Sequence, residues 1–381
     1  MQYDFETTIT RRGTGSLKWD RRPDLNPFWV ADLDFVSPPE VVAALQERLD
    51  HGVFGYAVPH AGLNDAIQQY VAQKHETQIQ EEEIVHLGGL VPALSLAARA
   101  FAKPGEALMT CTPIYPPFLG VHQDAGLDLI TVNHTTTDGV AGLNWEALEE
   151  AVTPETRLFL FCNPQNPLGR VFTAQDVEQL AEFCERHDLI LISDEIHADM
   201  IFDEDATPHY SAARLPEQFH KRVITLLAPS KTYNIAGLGY SYAIIRNDTL
   251  RRKFNAAKGH TLPEINCLSY YAAEAAYRHG EPWRVELMKY LKGNYDLVKS
   301  FMQEHFPLVE TMEMEATYLF WMDFRAMSVE NPALKLENEA QLFLSDGSFF
   351  GRAGCCRFNF GSPRARVEEG LQQMLQAQWS S

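Results

Sequence analysis

Short, nearly continuous apolar runs recur through the middle of the chain: 106–110, 127–132, 157–162 (RLFLFC), 188–193 (DLILIS), 222–228 (RVITLLA) and 240–245 (YSYAII). Runs of this length with no polar alternation predict strands covered on both faces. Between them lie segments with apolar residues at helical spacing. The clearest is 173–187, where Thr173 with Asp176 three residues on reads as a capping start and Val177, Leu180, Ala181 and Cys184 form the stripe. Helices are also expected over 92–101 and 264–279. The alternation predicts an α/β unit with a mixed, mostly parallel sheet sandwiched by helices.

Near Glu281-Pro282-Trp283 the pattern changes. A long amphipathic helix runs to about residue 306. Short strands at 317–324 and 357–360 follow, then a last helix after Pro363. This predicts a smaller α+β domain over 281–381 beside a large domain over 41–280. Residues 1–40 carry few core signals and are expected to pack on the small domain.

The chain has 381 residues, 51 acidic and 32 basic, for a net charge of -19. A field of that sign repels nucleic acid and anionic membranes. No apolar run nears the roughly 20 residues that span a bilayer, and residues 1–10 do not read as a signal peptide. The six cysteines form no C-x-x-C pair. Cys162, Cys184 and the Cys355-Cys356 pair read as core residues, which suits a reducing, cytoplasmic setting.

Lys231 follows the apolar run 222–228 directly. Burial lowers an amine's pKa, and a neutral amine attacks carbonyls. That is what a Schiff base with pyridoxal 5′-phosphate (PLP) requires. Asp194 follows the run 188–193, at the strand end where open α/β sheets bind ligands. It reads either as a strand-end cap or as the carboxylate that keeps a pyridine nitrogen protonated. Asn163 to Gly169, with two Asn-Pro steps, is a fixed loop that is either an ordinary turn or presents Asn166 to a ligand oxygen. Gly88-Gly89-Leu90-Val91-Pro92 opens a helix, where bare N–H groups suit a phosphate. Tyr115 is either core or a stacking surface; Tyr56 is either a surface turn residue or a phosphate partner. Arg357 is either a structural ion pair or a bidentate carboxylate grip.

Other motifs fall away. Strand alternation would align Glu195, His197 and Asp199, but no second ligand cluster accompanies them, so no metal is expected. Ser230-Lys231-Thr232 mimics a P-loop tail without its glycines, and Gly13-Thr14-Gly15 follows no strand.

In this order and spacing the segments resemble the fold-type I PLP enzymes of the aspartate aminotransferase superfamily, above all its cystathionine β-lyase and cysteine-S-conjugate β-lyase branch. The likeness is carried by Trp29 to Phe35, Val91 to Leu94, Tyr115 to Phe118, Asn163 to Gly169, Ser193 to Asp199, Ser230 to Gly237, Thr317 to Leu319 and Arg357 to Arg364. The resemblance implies that Lys231 links covalently to PLP and Asp194 pairs the ring nitrogen. It puts Asn166 and His197 near the phenolate oxygen and Tyr115 on the ring. Leu90, Val91 and Ser230 hold the phosphate, and Arg357 with Asn166 takes the substrate carboxylate. Tyr56 reaches the phosphate of a neighbouring subunit, which implies a homodimer with shared sites. Lys231, Tyr115 and Tyr56 are the implied catalytic residues. Aminotransferases commonly place an arginine eight residues after the lysine; here that residue is Gly239. The lyase branch lacks it too, so the implied reaction is β-elimination from L-cystathionine or a related S-conjugate. Transamination of amino acids is the alternative; a regulatory binding protein on the same scaffold is a further one.

Overall fold

The computed structural model describes residues 3–259 and 262–379. Seven strands form the main sheet: β1 (Ile84–Leu87), β2 (Ala107–Thr112), β3 (Asp128–Asn133), β4 (Thr156–Cys162), β5 (Ile190–Asp194), β6 (Val223–Leu227) and β7 (Ser241–Ile244). Their spatial order is β1-β7-β6-β5-β4-β2-β3. The five from β6 to β3 are parallel, and β7 runs antiparallel to β1 and β6. β4, β5 and β6 are buried along almost their whole length, as apolar strands covered on both faces must be.

Helices cover both faces. They include α1 (Pro39–His51), α2 (Leu90–Phe101), α3 (Pro116–Ala125), α4 (Ala174–Arg186) and α5 (Cys267–His279). Thr173 caps α4 with Asp176 in a reciprocal box, which satisfies two N-terminal donors. The expected strand at 188–193 is shifted by two residues. Asp188 has φ +55° in the turn before it, so pairing starts at Ile190 and Asp194 is the last strand residue. The helix expected over 264–279 starts at Cys267, with Asn266 as its cap.

The long helix α6 (Glu281–His305) leads into a second, antiparallel sheet. It comprises β8 (Glu310–Thr311), β9 (Leu319–Asp323), β10 (Ser345–Asp346) and β11 (Cys355–Asn359), in the order β8-β9-β11-β10. The final helix α7 is Arg364–Met374. The N-terminal segment packs on this unit. Phe28 stacks on Phe358 at 4.6 Å, and Asn26 and Pro27 pair with Leu342 and Phe343. Deeply buried Asp34 binds Lys18, Arg11, Trp19 and Ser362, which pins the segment from four directions.

The parallel register sets Cys162 beside Asp194 and Asp194 beside Leu226. Three carboxyl ends therefore open at one edge, and the small unit's β11 faces them through Arg357.

Candidate active site

Lys231 stands four residues past the end of β6. Its Nζ donates to the Ala31 carbonyl at 2.6 Å. Burial pushes its amine down to about 8; Asp32 and Asp194 work against that shift and Arg357 adds to it. Asp194 is 4% exposed. Burial pushes its carboxyl up to about 6, opposed by the Ile196 N–H, which donates to it at 3.1 Å, and by Lys231. An amine held low and an acid held high at one strand edge form the asymmetric pair expected of a reactive site.

Arg357 is 4% exposed and has no ion pair among the described residues. It donates to Asn166 Oδ1 at 2.9 Å and to the Trp29 carbonyl at 2.8 Å, and its guanidinium lies 4.8 Å from the Phe350 ring centre. Its Nε has no partner among the described residues. Burial pushes it down to about 10. A buried cation among neutral groups is costly unless an anion joins it. The salt-bridge reading of the sequence is thereby set aside, and a ligand carboxylate fits.

His197 is buried, and burial, Lys231 and Arg357 together push its imidazole down to about 3, so it is neutral. Its Nδ1 is unpartnered among the described residues. Tyr115 directly precedes α3 and shares the cavity wall with Lys231 and Arg357. That cavity measures about 610 Å³, and Trp29, Leu334, Phe343, Phe349 and Phe350 give it an aromatic and aliphatic wall.

At the start of α2, Gly89 has φ +148° and no side chain caps the helix. The N–H groups of Leu90 and Val91 have no helical acceptor, as at any helix start, and suit a phosphate. Gly239 lies beside this turn: a Cβ there would come within 3.3 Å of the Gly88 carbonyl. These features fit PLP: an amine at the sheet edge, a buried acid, an anion cradle and an unpaired guanidinium.

One placement differs from the sequence reading. The chain beyond Asp194 is a turn, so Glu195, His197 and Asp199 do not align as strand alternation would have them. Tyr56 is fully exposed and is not brought to the site within this chain. The side chain of Val91 faces outward, at 40% exposed, so only its backbone can serve a ligand. Sequence reasoning missed Asp32, which lies within Coulombic reach of Lys231, and Tyr318, whose hydroxyl shares the Ala31 carbonyl with Lys231 at 3.1 Å. Both fall inside short motifs that carried the resemblance, but nothing local marked them as polar groups of a site.

The family model for class I and II aminotransferases matches residues 28–374. The chain is 35% identical to cystathionine β-lyase PatB of Bacillus subtilis (strain 168), over 98% of this chain and 99% of that one. The crystal structure of OvoB superposes with a TM-score of 0.96 at 36% identity, covering 100% of both chains. Cystalysin from Treponema denticola, whose structure contains a pyridoxal 5′-phosphate cofactor, gives 0.93 at 33% identity over 98% of each chain. The architecture is that of fold-type I PLP enzymes, and the chain belongs to the class I and II aminotransferase family.

Proposed function

We propose that the chain is a PLP-dependent carbon–sulfur β-lyase that cleaves L-cystathionine or related cysteine S-conjugates to a thiol, pyruvate and ammonia. The observation that carries the reading is Lys231, an amine held near 8, set beside a buried acid and a guanidinium without a counter-ion. PatB, a cystathionine β-lyase that matches over nearly the full length of both chains, supports the same reaction.

When bound, PLP supplies an electron sink for negative charge developed at the substrate Cα. Arg357 and Asn166 grip the substrate carboxylate and fix which Cα bond stands toward Lys231. Lys231 would hold the cofactor and would serve, as a free amine, as general base for the Cα proton. Asp194 would keep a proton on the ring nitrogen. Tyr115 would offer a face to the ring, and Asn166 and His197 would serve its phenolate edge. The N–H groups of Leu90 and Val91, with Ser230, would hold the phosphate. The departing sulfur leaves toward the wall of Trp29, Phe343 and Phe350, which excludes water from the reacting carbon.

The protein acts as a homodimer in which Tyr56 of each subunit reaches the phosphate of the other. The exposed apolar run Val53, Phe54, Tyr56 and Val58 supports such a contact.

Gly239 supports elimination over transamination. It has φ +65°, a conformation an arginine adopts only with strain, so no cation stands where aminotransferases set one. The test is incubation with L-cystathionine in the absence of any keto acid. Release of free thiol with an equal amount of pyruvate supports the lyase. Amine transfer that depends on an added keto acid, without thiol, would overturn it.

A further inference from the structure

Next to Asp194 in the chain, and outside the cavity lining, lies a cluster of buried polar groups that the reaction above does not use. Glu195 is 1% exposed. Its Oε1 accepts from the Ala212 N–H at 2.8 Å and meets the Ser193 hydroxyl at 2.9 Å. Its Oε2 faces His209 Nε2 at 3.7 Å. The same His209 nitrogen lies 3.1 Å from the Asn163 carbonyl. A carbonyl can only accept, so Nε2 carries the hydrogen. The Asn163 N–H in turn donates to the Asp194 carbonyl at 3.0 Å.

Five atoms of this cluster have no hydrogen-bond partner among the described residues: Glu195 Oε2, His209 Nδ1, Asn163 Nδ2 and both ring nitrogens of His75. The His75 ring lies 5.4 Å from that of His209. Buried polar atoms are rarely left unpaired, and an apolar residue would fill this space at lower cost. Packing alone therefore does not account for His209; its one strong contact is the bond to Asn163. Burial pushes Glu195 up to about 8 and His209 down to about 4, with Arg214 also acting against charge on His209. Burial, then His209, Lys74 and Arg214, likewise disfavour charge on His75. Burial thus disfavours charge on Glu195, His209 and His75, and the contacts that reach Asp194 from this cluster are hydrogen bonds.

Building on the cofactor role proposed for Asp194, we infer that His209 is a positioning residue for that acid: by anchoring the Asn163 backbone, whose carbonyl and N–H belong to successive peptide groups, it helps lock the ends of β4 and β5 together and so fixes the direction of the Asp194 carboxylate toward the cofactor nitrogen. The Asn163 carbonyl holds His209 in the tautomer that carries its hydrogen on Nε2. The chain of contacts runs imidazole N–H to Asn163 C=O, then Asn163 N–H to Asp194 C=O, and none of Glu195, His209 and His75 lines the cavity beside Lys231.

The test compares three variants with the wild type, all purified as PLP-loaded protein. His209→Leu keeps the volume and removes the donor. His209→Asn keeps polarity but falls short of the Asn163 carbonyl. His209→Gln restores a donor at about the reach of Nε2. In the first two, the pH midpoint of the bound cofactor's absorbance shifts by at least half a unit, PLP dissociates at least fivefold more readily, and kcat falls about tenfold with KM within twofold. His209→Gln recovers most of each change. A wild-type absorbance titration and PLP affinity in both His209→Leu and His209→Asn would overturn the inference. So would equal losses in all three variants that track a fall in melting temperature with no spectral shift. The absorbance and affinity arms read His209 even if the wild type releases no thiol, so failure of the lyase reading stays distinguishable.

Discussion

Lys231 reacts with a carbonyl only as the free amine. With its pKa near 8 in the protein without cofactor, each unit of pH below that value cuts the neutral fraction about tenfold. The rate of PLP capture by cofactor-free protein therefore rises from pH 6 to about 8 and levels off above it. Stopped-flow absorbance measures this; a rate that keeps climbing toward the pKa of an ordinary lysine would show that the amine is not depressed. Lys231→Ala removes both the covalent link and the base, and turnover is expected to be lost. Arg357 bears a different load. Its partners are neutral, so Arg357→Ala removes the counter-charge of the substrate carboxylate, and kcat/KM falls by ~2–4 kcal/mol, roughly 30- to 1000-fold. Steady-state kinetics on a cysteine conjugate decides; a loss below fivefold would remove Arg357 from the carboxylate site.

At the level of elements, the strand ends do the positioning, and Gly239 is the point where backbone and chemistry meet. It closes a turn in the left-handed region, within reach of the Gly88 carbonyl. Gly239→Arg therefore costs about 1–2 kcal/mol of stability and brings no transaminase activity. Urea unfolding and a keto-acid assay read the two parts; a stable, transaminating variant would contradict the argument. The core strands were legible because β4, β5 and β6 are short apolar runs, and the reading of them erred only at their edges. The turn at Asp188, for example, delays pairing by two residues. The antiparallel β7 was not legible, since an apolar run carries no direction. Nor was the cavity wall. Trp29, Leu334, Phe343 and Phe350 come from distant segments with no shared period, and only packing of the small unit against the sheet edge collects them.

For the molecule as a whole, the site is built by two sheets of one chain and, in the proposed dimer, by a loop of another. The N-terminal segment ties the two sheets. The Asn234 side chain binds the Leu33 and Phe35 carbonyls, while Asn359 binds those of Val30 and Asp32. If Tyr56 serves the partner's phosphate, mixed dimers of Lys231→Ala and Tyr56→Ala subunits contain one intact site. Two inactive variants mixed in equal amounts, unfolded and reassembled, then regain about a quarter of wild-type activity. No regain would place Tyr56 outside a shared site. The central claim, that an amine held low beside a buried acid drives β-elimination, is tested most directly by counting products. Purified PLP-loaded protein is given L-cystathionine with no keto acid, and thiol and pyruvate are measured together. The account predicts one thiol per pyruvate over many turnovers, whereas turnover that stops without thiol until a keto acid is added would contradict it.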